Sequence, residues 1–278
     1  DLHSLRRRQR QMCIRDRCAA VCPTGAIIIK NDSHRLWKEL NQEDTIAVAQ
    51  VAPAVRVAVA KEFGYNGENV MGKIVAALRR IGFNYIFDTS TAADLTVMEE
   101  SKEFADRLAN GGKLPLFTSC CPAWIKYAEN EYPEILPNIS TCRSPMQMFA
   151  SVINEKFKGE GKKILSVAVM PCTAKKGEAA RDEFKDENGK PLVDFVITTQ
   201  ELIMMIKEAG IVFNEIEPEA VDMPFGTMTG AGVIFGVTGG VTEAVIRRVS
   251  TDKSLASLRN LASVSYTHLR AHETRGNL

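Results

Sequence analysis

Two short cysteine segments carry the residue types best suited to chemistry in this 278-residue chain: Thr118-Ser119-Cys120-Cys121-Pro122-Ala123-Trp124 and Met170-Pro171-Cys172-Thr173-Ala174-Lys175-Lys176. Each follows an apolar, strand-prone run, Leu114 to Phe117 before the first and Ile164 to Val169 before the second. A thiol where a strand gives way to a helix occupies the usual position of a site in an open α/β sheet. The segments are about fifty residues apart, so their thiols meet only if two strand ends converge. That suits a shared metal centre better than unrelated core cysteines. The alternative is that Cys120, Cys121 and Cys172 are buried apolar thiols. Upstream, Glu100, Glu103 and Arg107 recur at i, i+3 and i+7 on one helix face. By spacing alone such a stripe reads as a solvated charged face, and Lys175 alone reads as a surface lysine in a charged loop.

The elements that must hold these residues alternate along the chain. Ile46 to Val51 and Val55 to Ala60 look like strands, and Glu68 to Ile81 has helical apolar spacing ending at Gly82. Phe83 to Phe87 reads as a strand. Thr91 to Ala109 reads as a long helix stopped by Gly111-Gly112. Helices follow around Ala123 to Glu131 and Pro145 to Phe157, then the strand into Cys172 and a charged loop from Lys175 to Lys190. The strand Phe195 to Ile197 and the helix Thr199 to Ala209 come next. Strands alternating with helices imply one or two parallel α/β sheets. Gly230-Ala231-Gly232-Val233-Ile234-Phe235-Gly236 superficially suggests a dinucleotide loop. Its spacing and the missing downstream acidic residue make it instead a loop opening the helix Thr242 to Val249.

The hydrophobic fraction of 45% is ordinary for a globular protein. No apolar run approaches the roughly 20 residues that span a bilayer, and no secretory signal is recognisable. Residues 1–17 carry +4 and residues 265–278 carry +1, leaving the interior at −4 within a net charge of +1. A mildly acidic body argues against nucleic acid as the main partner. Seven cysteines, an odd number, fit reduced thiols in a cytoplasmic metal-binding protein better than a secreted disulfide scaffold. Cys18-Ala19-Ala20-Val21-Cys22-Pro23 is the closing part of a bacterial ferredoxin cluster motif. Met12 and Arg15 stand where two further cysteines would complete it, and Cys13 is out of register.

The wording of the two cysteine segments, together with Val51 to Arg56, Arg143-Ser144-Pro145 and the Gly-rich stretch, resembles the catalytic domain of iron-only ([FeFe]) hydrogenases, colinearly from about Thr45 to Val249. The resemblance implies two α/β lobes, each with a parallel sheet flanked by helices, and a cluster in the cleft between them. It implies reversible formation of H2 from protons and electrons at an H-cluster, a [4Fe–4S] cubane joined to a diiron unit carrying CO and CN ligands. Cys121 and Cys172 match two cubane ligands, and Cys120 matches the thiol that passes protons to the open diiron position. Glu100, Ser140 and Glu103 match a proton relay with Arg107 at its outer end, for which buried carboxylates of raised pKa are expected. Lys175 matches a lysine that holds a cyanide. Met170, Pro171, Ala52, Pro53 and Ser144 match pocket walls, and Glu178 is expected to pair with a nearby base. Met146 stands where many relatives carry Gln, and Cys142 matches no ligand. Cys18 and Cys22 then become the remnant of a small N-terminal ferredoxin-like domain with additional [4Fe–4S] clusters. Ferredoxin or a similar electron carrier and hydrogenase maturation proteins are the implied partners.

The family's third signature, with two further cysteines, is not found after the Gly-rich stretch, so the chain is expected to be an inactive fragment of an active enzyme, its C-terminal part missing. The boundaries read as 1–17 basic tail, 18–43 ferredoxin-like remnant and linker, 44–250 partial catalytic domain, and 251–278 irregular tail. Both ends resemble translated adapter read-through, against a genuine basic tail or an Arg-rich transit peptide, and no function is assigned to Cys13, His268 or His272. A hydrogenase-like iron–sulfur assembly protein should lack the relay thiol and the cyanide-binding lysine. A sensory relative should alter the relay. A nicotinamide dehydrogenase is a distant third.

Overall fold

The computed structural model describes residues 22–26, 28–235 and 239–250. Cys13, Cys18, His268, His272 and most of both tails lie outside them. Four strands, β1 (Thr45–Val51), β2 (Tyr85–Asp88), β3 (Lys163–Met170) and β4 (Phe195–Thr198), form one sheet in the order β2-β1-β3-β4. All its pairings are parallel. Strands of such a sheet are covered on both faces and therefore read as near-continuous apolar runs. In β1 six consecutive residues are buried, with Ala47, Ala49 and Val51 in one core cluster and Ile46 and Val48 in the other. The one polar side chain in that run, Gln50, donates to the Met146 carbonyl at 3.0 Å and accepts from the Thr89 hydroxyl at 3.3 Å. The expected α/β class with a parallel sheet flanked by helices is what forms, and the described residues hold this one sheet.

Helix α1 (Ser33–Leu40) precedes β1. Helices α2 (Pro53–Glu62) and α3 (Met71–Ile81) join β1 to β2. Helices α4 (Ser90–Ala109), α5 (Pro122–Glu131) and α6 (Pro145–Lys156) join β2 to β3. Helix α7 (Ala174–Ala179) joins β3 to β4, and α8 (Thr199–Glu208), α9 (Gly230–Ile234) and α10 (Gly240–Val249) follow. Phe87 on β2 meets Phe149 on α6 and Phe225, with ring centroids 5.6 and 5.4 Å apart. Burying one such side chain stabilises the fold by roughly 1.5–3 kcal/mol, and the cluster seats α6 beneath the sheet. A Cβ on Gly232 would lie 2.4 Å from the Ser90 carbonyl, so glycine is what lets α9 press against the start of α4.

Four expectations are corrected. The Gly-rich stretch is not only a loop, since Gly230–Ile234 forms the short helix α9. Val55 to Ala60 is helical, not a strand: Pro53 starts the helix, and Val55 and Val59, one turn apart, are its buried face. Their alternation with Val57 imitates a strand, but Val57 is exposed. Leu114 to Phe117 forms no strand, because Pro115 cannot donate to a ladder. Only Phe117 bridges to Ile139. The charged run after Cys172 is not an open loop either, since it contains α7 and a 3₁₀ turn, Asp182–Phe184.

Candidate functional site

In the order β2-β1-β3-β4 the chain steps outward in opposite directions from β1 and β3. Their carboxyl ends therefore form the switch point at which open α/β sheets bind ligands. Ala52 and Pro53 leave β1 there, and Met170, Pro171 and Cys172 leave β3. The Ala52 N–H donates to the Val169 carbonyl at 3.0 Å, locking the two exits together. Ala52 and Met170 are buried, Pro171 is exposed, and Cys172 is partly buried.

The Cys120-Cys121 segment also reaches this crevice. Phe117 and Ile139 hold the segment before Cys120 by backbone bonds, Phe117 N–H to the Asn138 carbonyl at 2.9 Å and Ser140 N–H to the Phe117 carbonyl at 2.7 Å. Cys121 ends the loop at the N-cap of α5, with Pro122 at the first helical position. Lys175 joins the two segments: its ammonium donates to the Cys120 carbonyl at 3.0 Å and to the Glu178 carboxylate at 2.6 Å. The other Glu178 oxygen accepts the Ser144 hydroxyl. Ser144 in turn caps α6, so pocket wall, lysine and cysteine loop form one bonded unit. Burial pushes the Cys120 thiol up to about 11, opposed by the Lys175 ammonium and reinforced by the charge of Glu100.

Behind Cys120, α4 carries the carboxylate stripe. Glu100 is 1% exposed, and neither of its carboxylate oxygens has a partner in hydrogen-bond geometry. Burial pushes its pKa up to about 7, partly offset by the nearby Ser140 hydroxyl and Ser119 N–H. Glu103, one turn on, is crowded with donors. One oxygen accepts from Arg107 Nε at 3.1 Å and Nη2 at 2.6 Å. The other accepts from the Ser140 hydroxyl at 2.8 Å, the Thr141 N–H at 3.0 Å, the Thr141 hydroxyl at 3.2 Å and the Cys142 thiol at 3.6 Å. Burial alone would raise the Glu103 pKa, but Ser140, Arg107 and the Thr141 N–H outweigh it and hold it below its usual 4.5. The expected raised carboxylate is thus found at Glu100 and not at Glu103. Arg107 also donates to the Lys113, Pro137 and Ile139 carbonyls, tying α4 to the loop that supplies Ser140.

The sign of the Glu103 shift sets an acid response. A carboxylate with a depressed folded pKa contributes stability above its unfolded pKa, and loses it as pH falls through the folded value. Glu103→Gln should therefore lower the thermal midpoint at pH 7, and the difference from the native protein should shrink as pH falls below the ordinary carboxylate value of 4.5. Melting curves between pH 3 and 7 check this, and a pH-independent difference would contradict it.

Sequence reasoning passed over Cys142 and Thr141, whose only signal was their place beside Ser140. The Cys142 N–H donates to the Ser140 oxygen at 3.2 Å, leaving that hydroxyl's proton directed at Glu103. Gln147 was also missed: its amide is fully buried with neither polar atom partnered. Met146, in the position where Gln is common, is buried and offers only its carbonyl, to Gln50. Cys22 is partly buried and lies 3.5 Å from the Thr24 hydroxyl, whereas Cys18 lies outside the described residues.

Cys121 and Cys172 could supply at most two of the four sulfur ligands that a [4Fe–4S] cubane takes. Among the described residues no group of three or more His, Cys, Asp or Glu converges as a metal-binding set. No helix among them is long and apolar enough to cross a membrane.

Residues 45–276 match the family model described as iron only hydrogenase large subunit, C-terminal domain. The chain belongs to the iron-only hydrogenase large subunit family. The matched residues run past Val249, where the recognisable motifs stop. An NADP-reducing hydrogenase subunit, HndD, of Solidesulfovibrio fructosivorans is 44% identical over 264 residues, 91% of this chain and 44% of that protein. A cytosolic iron-sulfur assembly component 3 of Bos taurus is 35% identical over 229 residues, 74% of this chain and 48% of that protein. The solved apo [FeFe]-hydrogenase HydA1 of Chlamydomonas reinhardtii superposes with a TM-score of 0.68 at 39% identity, covering 79% of this chain and 58% of that one. The chain spans about half the length of these relatives.

Proposed function

We propose that this chain is the proton-delivering half of an [FeFe] hydrogenase catalytic domain, acting in reversible formation of H2 from two protons and two electrons. The observation that carries the reading is a line of polar groups from the surface inward, hydrogen-bonded from Arg107 as far as Ser140. Arg107 holds Glu103, Glu103 accepts the Ser140 hydroxyl at 2.8 Å, and Ser140 and Ser119 face the buried Glu100, whose charge in turn reaches Cys120. Glu103 favours the anion and Glu100 holds its proton to about pH 7, so a proton arriving at Glu103 is drawn inward through the Ser140 hydroxyl. The hydroxyl accepts one proton and releases another, so it needs no charged state of its own.

In this reading Cys121 and Cys172 would hold the cubane of an H-cluster, whose diiron unit, when bound, supplies the redox chemistry that pairs electrons with protons. Lys175 would offer its ammonium to an anionic ligand, held in place by Glu178 and the Cys120 carbonyl. Met170, Pro171, Ala52, Pro53 and Ser144 would wall the crevice and exclude water, and Cys120 would carry the last proton. Cys18 and Cys22 would belong to an upstream [4Fe–4S] site. Electrons would come from ferredoxin or a similar carrier, maturation proteins would insert the diiron unit, and the thiols would be kept reduced in the cytoplasm. The iron–sulfur assembly reading has a 35% identical relative behind it, but it gives no task to the Lys175–Cys120 contact or to the Ser140–Glu103 line.

The test is Cys120→Ala in a longer form of the protein that carries the loaded cluster. Turnover of H2 should fall by about 100-fold or more with the iron content unchanged. Loss of iron would make Cys120 a ligand, and full activity would end the relay assignment.

A further inference from the structure

Consecutive residues of α7 serve different partners. Lys175 faces the cysteine loop, whereas Lys176 donates to Asp32 at 2.9 Å and to Glu201 at 2.9 Å. The three side chains are 13, 7 and 6% exposed. The same Glu201 oxygen accepts the Asp32 N–H at 2.7 Å, and its second oxygen accepts the Thr198 N–H at 2.7 Å, closing the capping box of α8. Asp32 precedes α1 and is also approached by Lys30 at 3.1 Å and Arg35 at 3.2 Å, both exposed. One enclosed ammonium thus bridges two buried carboxylates that lie 169 residues apart in the sequence.

Helix α7 has six residues, too few to hold its own register in water. Its anchors decide where it sits. Arg181, just past its end, pairs with Glu129 of α5 at 2.5 Å, and Lys176 ties it to α1 and α8. Removing a buried counter-charge leaves like charges sharing a low-dielectric site, which expels one of them. The strand of chain between Cys22 and α1 would then lose its hold on α7.

We propose that Lys176 is a positioning residue whose clasp on Asp32 and Glu201 registers α7, and with it Lys175 and Cys172, against the segment entering the domain from Cys22. The consequence for the cluster rests on the hydrogenase reading, whereas the clasp itself stands apart from it. It gives the upstream iron–sulfur segment a mechanical connection to the crevice.

Hydrogen exchange and the rate of Lys175 acetylation by limiting acetic anhydride, both on the cluster-free chain, test it. Lys176→Met should speed exchange about tenfold or more in both 33–41 and 175–181, leave β1 unchanged, and raise Lys175 acetylation by a similar factor. Lys176→Arg, which keeps the charge, should hold these rates within about threefold. Lys207→Met, which breaks an exposed pair with Glu62, should change neither segment. If Lys176→Met does not fold, Asp32→Asn should loosen both segments together by a smaller factor. Acceleration of only one segment, uniform acceleration including β1, or unaltered Lys175 reactivity would overturn the proposal. Neither readout needs a cluster, so failure here leaves the hydrogenase reading intact, and an inert Cys120→Ala result would leave the clasp intact.

Discussion

Glu100→Gln should stabilise the protein by up to about 3 kcal/mol at pH 8 and by almost nothing at pH 4. Glu100 is 1% exposed with both oxygens unpartnered, so ionising it in place requires desolvating a charge with little in return. Its folded pKa is raised from 4.5 to about 7. Below about pH 4.5 the carboxyl is neutral in both states and the contribution is complete. As pH rises towards and through about 7 the unfolded chain ionises first, and that stability is lost, at about 1.4 kcal/mol per pKa unit. Glutamine keeps the shape and has no charge to desolvate. Urea titrations of both proteins at pH 4, 5.5, 7 and 8.5 give the difference directly, and other titrating groups cancel between them. A gap that stays flat with pH would show that Glu100 is not a buried, proton-holding carboxyl, and the relay would lose its inner acceptor. In the proposed relay, the burial that destabilises the ionised fold would also be what lets Glu100 keep a proton to about pH 7.

Lys175→Met should cost about 3–5 kcal/mol, the largest loss of any single substitution in the crevice. Its partner Glu178 is 5% exposed and would keep only the Ser144 hydroxyl. An uncompensated buried carboxylate is far worse than no carboxylate, so Lys175→Met with Glu178→Gln should recover most of the loss. A coupling of about 2 kcal/mol or more in that double-mutant cycle is expected. Denaturant unfolding of the four proteins measures it, and additive losses would mean that the 2.6 Å contact contributes nothing. Because the lysine also holds the Cys120 carbonyl, the single variant should free the loop between Phe117 and Pro122 while the double variant stays loosened there. Stability and loop order therefore separate in this pair of variants.

The sequence went far at the level of local pattern. Apolar runs marked β1 and β3 because a parallel sheet buries both faces, and Pro122 and Pro145 each sit at a first helical position as their fixed backbone angle requires. It failed where two local readings compete. Val55, Val57 and Val59 alternate like a strand, yet they follow a helix-starting proline in a segment whose buried face is set by packing on β3. The run Leu114 to Phe117 is apolar enough for a strand, but Pro115 leaves it one bridge.

The words of the two cysteine segments by themselves determined the family and nominated Cys120, Cys121, Cys172 and Lys175, because the residue types that can ligate iron or hold a charge are few and their order is distinctive. What only the tertiary structure decided is how the nominated groups divide the work. Glu100 and Glu103 are one helical turn apart and identical in type, yet one is buried with only Ser140 and Ser119 nearby and neither oxygen in hydrogen-bond geometry, and the other is clamped by Arg107, Ser140 and Thr141. Lys175 and Lys176 are neighbours in the chain, yet one serves the crevice and the other the entering segment. Burial and partners are properties of the folded surroundings, and a carboxyl or ammonium takes its proton affinity and its role from them.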